Sequence, residues 1–277
     1  MELLNIKIDT SSLSQNDLNI AYFLKKHLKD IPMMTINDIA RECDTSNASI
    51  SRFIKNQLKM GFKELKRMTI ENIKDTNPKE KAANIILTTS PNTLVETITE
   101  KALNNITRNR TLFDPKRIET ASHIIAQASR LHIYSTGTGA SLSSLLSFRL
   151  NRLGISVFKI HSGGNEIYES LINIHKEDVV LVFCFSRVIK ENLVLLQYCQ
   201  THHINNILIT DLYNQELLKL SQHTIHVERG ELWEFHSMVA PLVLVEIIVA
   251  TVSAYDKKES LMKLDTLHKI RRKYQDF

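Results

Sequence analysis

The chain has 277 residues, of which 43% are hydrophobic and 23% are charged, and its formal net charge is +5. A chain of this length can form one large domain or two smaller ones with ordinary apolar cores. The longest apolar run, from Met238 to Ala250, is interrupted by Pro241 and Glu246. It falls short of the roughly 20 residues that cross a bilayer, so we expect no membrane association. The first residues lack the basic and apolar segments of a signal peptide, which predicts a cytoplasmic protein.

The cysteine content argues against disulfides and metal sites. Cys43, Cys184 and Cys199 are odd in number and lie in apolar or helical surroundings, so we expect buried free thiols. No spacing of His, Cys, Asp and Glu predicts a metal site, and we expect no cofactor. The positive net charge is compatible with a nucleic-acid partner. Only the distribution of the basic residues along the chain can indicate such a partner.

The first part of the chain predicts three helices in succession. Apolar residues follow helical spacing from Asn16 to Leu28. Thr35 precedes a second, short helix and has Asp38 three residues further on, which is the arrangement of a capping box. Ser46 caps a third helix. We therefore expect an all-α domain at the N-terminus.

The second and third of these helices have the spacing of a helix-turn-helix unit. Asp44 stands in the turn between them, where a residue that tolerates the left-handed region is needed. Small Ala40 lets the two helices cross closely, and Ile50 and Phe53 hold the third helix against the second. This pattern is typical of DNA-binding helix pairs.

The outer face of the third helix and the segment after it are polar and basic. From Arg52 to Arg67 there are six basic residues and one acidic residue, a local excess of five positive charges. Such a cluster suits the DNA backbone, although a solvated lysine-rich helix face is the alternative explanation. Short polar side chains at the start of a recognition helix can contact bases and phosphates. The candidate DNA-binding residues are Thr35, Ser46, Asn47, Ser49, Ser51, Arg52, Lys55 and Lys63.

Two motifs in this region are specific. Residues 46–53 read Ser-Asn-Ala-Ser-Ile-Ser-Arg-Phe, and residues 61–66 read Gly-Phe-Lys-Glu-Leu-Lys. They resemble the Ser-x-Ala-Thr-Ile-x-Arg-Phe recognition helix and the Gly-Phe-x-x-Leu-Lys tail of the RpiR-type bacterial transcriptional regulators. Ser49 replaces the usual Thr, and residues 57–59, Gln-Leu-Lys, replace a Leu-Gly-Phe turn. The resemblance implies sequence-specific binding to double-stranded DNA.

The next segment predicts a boundary and two helices. Asn77-Pro78 disfavours helix before it. Residues 90–93 then open a linker helix, which we expect to pack against a partner subunit, and Asp114 with Pro115 begins another helix. The predicted domains are a helix-turn-helix domain at 1–76, a linker helix region at 77–110 and a C-terminal domain at 111–277.

Short apolar runs and helical patterns alternate in the C-terminal domain. This alternation predicts a five-stranded parallel sheet with helices on both faces. Parallel strands place their carboxyl ends on one edge, where ligands bind. The predicted strands are Leu131–Tyr134, Ile155–Ile160, Val179–Phe185, Ile207–Ile209 and Ile225–Val227, and two of the predicted helices are Leu142–Leu153 and Glu191–Cys199.

A glycine-rich turn follows the first of these strands. Residues 131–141 read Leu-His-Ile-Tyr-Ser-Thr-Gly-Thr-Gly-Ala-Ser, which predicts strand, tight turn and helix start. A helix N-terminus carries unsatisfied donors and partial positive charge, so the turn should offer free N–H groups to an anion such as phosphate. The alternative is a purely structural turn, in which two glycines let the chain pack closely.

This half of the chain resembles the sugar isomerase (SIS) domain, which binds phosphosugars and follows the DNA-binding domain in the RpiR-type regulators. The turn at 137–141 matches the family well, as do residues 207–211, Ile-Leu-Ile-Thr-Asp. The family's second loop, Ser-x-Ser-Gly, corresponds to residues 186–191, where Ser186 alone survives. Ile189 replaces the glycine and blocks close approach to phosphate, although Arg187 or Lys190 can meet a phosphate by charge.

The SIS resemblance supplies a set of candidate effector-binding residues. They lie on the glycine-rich turn and on the degraded second loop: Ser135, Gly137, Thr138, Gly139, Ser141, Ser186, Arg187 and Glu191. An enzyme interpretation would pair His161 with Glu166 as acid and base for isomerisation of a phosphosugar. A solvated loop at the ligand edge is the simpler explanation of these two residues.

The last part of the chain predicts an interface. A helix from Trp233 to Ser253 is almost continuously apolar from Val239 to Val252, which indicates burial between the sheet and a partner. We expect a homodimer or homotetramer formed through this helix and the linker helix. The charged tail, residues 257–277, is predicted to be helical and exposed.

Together these observations predict a transcriptional regulator of carbohydrate metabolism genes. A dimer would read an inverted-repeat operator, and a phosphorylated sugar would change operator affinity by favouring one arrangement of the dimer. Two alternatives remain. The C-terminal domain can be a degenerate sensor that serves only for dimerisation, or the protein can be a phosphosugar isomerase.

Overall fold

The structure, a computed structural model, forms two compact units. The described residues up to Lys79 belong to the first unit, and those from Thr89 onward belong to the second. The described residues are 2–4, 6–9, 12–28, 30–32, 34–74, 79, 89–160, 163–212, 214–230 and 236–275.

The first unit is helical, with a short strand pair at its start that the sequence does not predict. Its elements are strands β1 (Glu2–Leu3) and β2 (Ile6–Lys7), which pair antiparallel, and helices α1 (Gln15–Lys26), α2 (Ile36–Glu42), α3 (Asn47–Gln57) and α4 (Phe62–Lys74). Leu24, Ile39, Ile50, Phe53 and Leu65 are buried in one core. The helix-turn-helix prediction for α2 and α3 is therefore matched by the packing of their inner faces.

Local side-chain chemistry fixes the ends of α2 and α3. The hydroxyl of Thr35 accepts a hydrogen bond from the Asp38 main-chain N–H at 3.2 Å, and the Asp38 carboxylate accepts one from the Thr35 N–H at 2.8 Å. The Ser46 hydroxyl accepts a hydrogen bond from the Ser49 N–H at 3.2 Å. Asp44 has φ +50° in the turn between the helices. The predicted capping box, cap and left-handed turn are all confirmed.

The second unit is an α/β domain. A 3-10 turn at Pro91–Thr93 leads into α5, and strands and helices then alternate. The elements are α5 (Leu94–Leu112), α6 (Pro115–Gln127), β3 (Leu131–Ser135), α7 (Gly139–Arg152), β4 (Val157–Lys159), α8 (Glu166–Leu171), β5 (Val179–Cys184), α9 (Lys190–Thr201), β6 (Asn205–Thr210), α10 (Gln215–Leu220), β7 (His223–His226), α11 (Val239–Tyr255) and α12 (Lys257–Lys273).

The five strands form one parallel sheet in the order β4-β3-β5-β6-β7. Successive residues alternate between two cores, as the period of a strand requires. Ile133 and Leu181 pack with α6, α7 and α11, whereas Tyr134 and Val182 pack with α8, α9 and α10. The predicted parallel sheet with helices on both faces is confirmed. The strand order reverses at β3, whose carboxyl end carries the glycine-rich turn.

Several element bounds differ from the prediction by a few residues. The first crossover helix begins at Gly139, because the turn itself winds into α7. Strand β4 is shorter than predicted, and β7 begins at His223, two residues earlier than its apolar run. Helix α11 begins at Val239 and extends to Tyr255. The prediction also included residues 236–238, which are not helical, and its start at Trp233 lies outside the described residues.

Helix α11 is almost entirely apolar, whereas helix α12 is charged and largely exposed. Ala240, Leu244 and Ile248 of α11 are buried against the sheet. The tail forms the exposed helix that the sequence predicts. Within the described ranges, no single helix is long and apolar enough to cross a bilayer; α11 and α12 meet that test only as a pair bent by 106°.

Candidate functional site

The outer face of α3 presents polar and basic side chains to solvent. Asn47, Ser51, Arg52 and Lys55 are exposed, whereas Ser49 is half-buried. Arg52 makes no hydrogen bond or ion pair to any described residue, so its guanidinium is available to a partner. Helix α3 therefore has the exposed basic face that contact with a nucleic acid requires.

Three of the candidate DNA-binding residues make hydrogen bonds that stabilise the helix ends. The Thr35 hydroxyl donates to the Asp38 carboxylate at 2.7 Å in addition to capping α2. Ser46 caps α3. The Asn47 side-chain amide donates to the Asn37 side-chain carbonyl and so joins α3 to α2. These side chains orient α3 whether or not they also contact DNA.

The basic segment after α3 is partly neutralised. Lys63 is exposed at the start of α4, and the Lys66 ammonium lies 5.1 Å from the centroid of the Phe62 ring. Arg67 is held in an ion pair with Glu64, which lowers the pKa of that carboxyl group. Arg52, Lys55, Lys59 and Lys63 are thus the exposed cations without an acidic partner among the described residues of this region.

The glycine-rich turn of the second unit is wound more tightly than the sequence predicts. Gly137 has φ +55°, which favours glycine. The N–H groups of Gly139, Ala140 and Ser141 donate to the carbonyls three residues back at 3.1, 3.2 and 3.3 Å. The expectation that these N–H groups are free is therefore wrong, because the first turn of α7 satisfies them internally as a 3-10 turn.

Gly139 lies close to the ends of strands β3 and β5. A Cβ atom there would lie 3.4 Å from the Cβ atoms of both Phe183 and Ser135. The start of α7 consequently lies tightly against the ends of β3 and β5. This supports the structural explanation of Gly139, and it also brings Ser135 to the carboxyl edge of the sheet.

The hydroxyls next to the turn are also engaged. Ser141 donates to the Thr138 carbonyl at 2.7 Å, and Ser144 donates to the Ala140 carbonyl at 2.8 Å. A serine hydroxyl has one proton, so in these rotamers both side chains can only accept a further hydrogen bond. Ser141 is exposed on this edge, but it must rotate before it can donate to an anion.

The second loop is held by a buried arginine that the sequence analysis did not identify. The Arg229 guanidinium donates to the Asp211 carboxylate through Nε at 2.9 Å and Nη2 at 2.6 Å, and Nη2 donates to the Ser186 hydroxyl at 2.7 Å. His236 Nδ1 lies 3.0 Å from the same Nη2. The Ser186 N–H donates to Asp211 at 2.9 Å. Ser186 has φ +66°, and this set of contacts holds it there.

The remaining second-loop residues lie beside that cluster. Arg187 is exposed, Glu191 is half-buried in the first turn of α9, and Ile189 has φ −112°, so Ile189 stays extended as its branched side chain requires. Burial and the nearby Glu191 charge raise the pKa of Tyr134 to about 12. The Tyr134 hydroxyl has no hydrogen-bond partner among the described residues.

A cleft of about 360 Å³ opens on the other side of the glycine-rich turn, toward β4. It contains a cation, Lys159, whose ammonium donates to the Ser144 hydroxyl at 2.9 Å. It also contains a carboxylate, Glu166. Of the candidate effector residues only Ser135 lines it. The lining residues are Ile133, Ser135, Ala140, Ser143, Ser144, Lys159, Ile160, Gly163 and Glu166.

The sequence interpretation misses Arg229 and Lys159, although both lie at or just after strand ends, where ligand-binding residues are expected. Arg229 follows β7 by three residues, and Lys159 is the last residue of β4. Glu166 begins α8, but its proposed acid-base partner His161 lies outside the described residues. No group of His, Cys, Asp and Glu in the described part of the chain is arranged to hold a metal ion.

Comparison with known families and structures places both units. Residues 1–75 match the family model described as a helix-turn-helix domain of the rpiR family, and residues 124–251 match the SIS domain. The sugar isomerase domain of an RpiR transcription factor from Sphaerobacter thermophilus is 19% identical with TM-score 0.59, covering 64% of this chain and 99% of its own.

Two further solved structures are similar. The Vibrio vulnificus NanR protein complexed with ManNAc-6P is 17% identical with TM-score 0.59, covering 94% of each chain. A candidate sugar-phosphate isomerase from Listeria monocytogenes is 14% identical with TM-score 0.53, covering 63% of this chain and 98% of its own. At these identities the similarity shows a shared fold.

Proposed function

Because the chain belongs to the RpiR-type transcriptional regulators, with an rpiR-family helix-turn-helix domain followed by a SIS domain, we propose that it binds an inverted-repeat operator under the control of a phosphorylated sugar. The regulated genes are those of carbohydrate metabolism. The observation that carries the DNA-binding half of this proposal is the capped helix α3, which exposes the unpaired Arg52.

In this proposal α3 enters the major groove. Arg52 reaches a base edge or a phosphate, Ser49 and Ser51 lie on the same helix, and Lys55 and Lys63 contact the backbone. Thr35, Ser46 and Asn47 lie at the helix ends, where short polar groups approach phosphates. Binding of this kind gains affinity from released counterions and weakens as salt increases.

The effector binds at the carboxyl edge of the sheet in the second unit. The reversal of strand order at β3 supports this location, since ligands of open parallel sheets bind where the order switches. The similar NanR protein was solved with ManNAc-6P, which supports a phosphorylated sugar as the ligand class. The turn residues Ser135, Gly137, Thr138, Gly139 and Ser141 form the floor of the site, with Ser186, Arg187 and Glu191 on the β5 side.

The working form is a homodimer or a pair of dimers. Helix α5 exposes apolar side chains, including Val95, which is 80% exposed, and Leu103, which is 58% exposed. An apolar cleft of about 520 Å³ between α5, α6 and α11 includes Ile106 and Val243. A second copy that covers these side chains would bury the apolar faces of α5 and α11. We place this dimer in the cytoplasm, where the operator is.

Regulation follows if the effector binds one arrangement of the dimer better than the other. The effector can shift operator affinity only by its difference in affinity for the two arrangements. The alternative of a domain that only dimerises is supported by the contacts of the Ser186 hydroxyl with Arg229 and with His236 Nδ1, which engage internally the one serine that the second loop retains. An isomerase activity would need an acid and a base, and we propose none.

The test of DNA binding is a titration of the full-length protein with DNA from upstream of its own gene. Arg52→Ala should weaken binding by about tenfold or more and reduce the slope of log affinity against log salt by about 1. Lys116→Ala, which removes an exposed cation from α6, is the control and should bind as the wild type. Equal binding by Arg52→Ala at matched salt would remove Arg52 from the interface.

The effector and enzyme alternatives are separated by a second set of measurements. Thermal shifts with a panel of sugar phosphates should show stabilisation by at least one of them. A flat response with operator binding intact would favour the domain that only dimerises. Turnover of a sugar phosphate that Glu166→Gln abolishes would instead establish the isomerase.

A further inference from the structure

Lys159 occupies a position where the strand pattern places an apolar side chain. Strand alternation puts it on the same sheet face as Val157, which packs against the core under α7. Its register partner on β3 is Ile133, a core residue that also lines the 360 Å³ cleft. A charged residue at the end of this row brings an ammonium group to the cleft beside the glycine-rich turn.

The ammonium of Lys159 has free donors, unlike the nearby hydroxyls of Ser141 and Ser144. Ser141 and Ser144 have each committed their one proton to a main-chain carbonyl. An ammonium carries three N–H donors. Lys159 uses one of them on Ser144 at 2.9 Å and makes no other hydrogen bond to a described residue. Two charged donors therefore remain for a ligand in the cleft.

The opposite flank of the turn is less open to an anion. The Ser186 hydroxyl accepts a hydrogen bond from Arg229, whose side chain is only 3% exposed and is paired with Asp211. An anion that reached Arg229 would have to displace the Asp211 carboxylate. Arg187 and Lys190 are exposed on that flank and are the competing cations. The Ser186 hydroxyl also lies 3.2 Å from His236 Nδ1, so it is engaged on two sides, and the cleft on the β4 side is the better anion site.

We propose that Lys159 binds the phosphate group of the effector, a phosphate monoester of a sugar, in the cleft between α7 and β4. This assignment rests on the function proposed above and specifies where its ligand binds. The phosphate takes the free donors of Lys159 and lies beside Ser135 and Ser144. Glu166, which lines the same cleft, accepts hydrogen bonds from sugar hydroxyls.

The test is calorimetric titration of the full-length protein with glucose 6-phosphate, N-acetylmannosamine 6-phosphate, inorganic phosphate and unphosphorylated glucose. For the sugar phosphate that binds most tightly, Lys159→Gln should raise Kd by about tenfold or more, because a charge-assisted hydrogen bond is lost. The same variant should flatten the dependence of affinity on salt. Arg187→Gln, at one of the competing cations, should raise Kd less than Lys159→Gln does. Lys116→Gln, at an exposed position on α6, is the control and should change Kd by less than about twofold.

Glu166→Gln tests whether the charge of Glu166 opposes phosphate binding. Removing a negative charge from the cleft should leave binding of inorganic phosphate unchanged or make it tighter, since like charge opposes the anion. Lys159→Arg keeps the charge and should recover most of the affinity that Lys159→Gln loses. Lack of recovery with Lys159→Arg, in a protein that still melts and binds DNA normally, counts against a phosphate contact.

The remaining outcomes distinguish failure of the Lys159 site from failure of the proposed effector function. If a sugar phosphate binds wild type and Lys159→Gln equally, or if Arg187→Gln shows the larger loss, the Lys159 site is wrong and the effector function stands. If no phosphate compound binds the wild-type protein while operator binding is intact, the effector function itself fails and the Lys159 site fails with it.

Discussion

Arg229 and Asp211 form an ion pair with an Nη2–Oδ2 distance of 2.6 Å, and their side chains are only 3% and 14% exposed. The pair joins the segment after β7 to the end of β6. Through Nη2 it also reaches Ser186 after β5, and the guanidinium lies 4.6 Å from the centroid of the Phe185 ring. Three loops at the carboxyl edge of the sheet are therefore fixed by one cation, so the pair is a structural support of the candidate site.

Removal of Arg229 should destabilise the second unit strongly. Arg229→Met leaves the Asp211 carboxylate largely buried without its partner, and loss of one member of a buried pair costs about 3–5 kcal/mol. Urea denaturation followed by circular dichroism measures the loss. The double variant Arg229→Met/Asp211→Leu should lose less than the sum of the two single variants, since it leaves no unpaired charge. Additive losses would show that the two side chains do not stabilise each other.

A second buried polar cluster lies at the opposite ends of the strands. His132 is 5% exposed, and its Nε2 lies 3.2 Å from the Asp178 carboxylate. Burial acts to raise the pKa of Asp178, but hydrogen bonds from Arg130 and from the His175 N–H outweigh it and hold that pKa below its ordinary value. Burial lowers the pKa of His132 despite the nearby Asp178 charge. His132 is therefore neutral in the folded protein near pH 7.

The protein should lose stability as pH falls from about 6.5, the ordinary pKa of histidine. The unfolded chain binds a proton on His132 at a higher pH than the folded chain does, so protonation favours unfolding there. Burial shifts the pKa of His223 and His226 in the same direction. His132→Gln should reduce the slope of unfolding free energy against pH between about pH 7 and 5. His268→Gln, at an exposed position on α12, is the control; an identical slope for His132→Gln and wild type would contradict the prediction.

The sequence predicts well those features that depend on local side-chain chemistry or on the two-residue period of a strand. Thr35 and Ser46 cap helices whose starts depend on residues three positions away, and the apolar runs of β3 and β5 are buried on both faces. The Arg229 contacts join residues that are 18 and 43 positions apart. No local pattern indicates such a contact, because it depends on how the crossovers return the chain to one edge.

The errors in the sequence interpretation have a similar cause. The glycine-rich turn correctly predicts a strand end followed by a helix, but periodicity does not distinguish a helix that begins with free N–H groups from one that begins as a 3-10 turn. The sequence interpretation misses the Lys159 charge because it treats residues 155–160 as one apolar run, although the last residue of the observed strand faces a cleft.

Thr35→Ala should destabilise α2 by about 1 kcal/mol, since the Asp38 N–H loses its side-chain acceptor. Thr35→Ser keeps the hydroxyl and should retain most of the stability. Hydrogen exchange of the α2 amides measures the change locally. Equal protection in Thr35→Ala and wild type would show that the capping box adds no stability, and a loss of operator affinity would then point to contact between Thr35 and DNA.

Lys59 follows the buried Leu58 at the end of α3 and has φ +57°, a conformation that favours glycine. A side chain in this region costs about 1 kcal/mol or more, and glycine removes that cost while gaining freedom in the unfolded chain. Lys59→Gly should therefore stabilise the first unit by about 0.5–1 kcal/mol.

Lys59→Ala is the matched control for this substitution. It removes the same charge and the same long side chain but retains the Cβ atom, so it should show no such gain. Hydrogen exchange of the α3 amides distinguishes the two variants. If Lys59→Gly and Lys59→Ala change protection equally, the effect comes from the lost charge and not from the backbone. Operator titration at matched salt then measures the separate contribution of that charge to DNA binding, which should be the same in both variants.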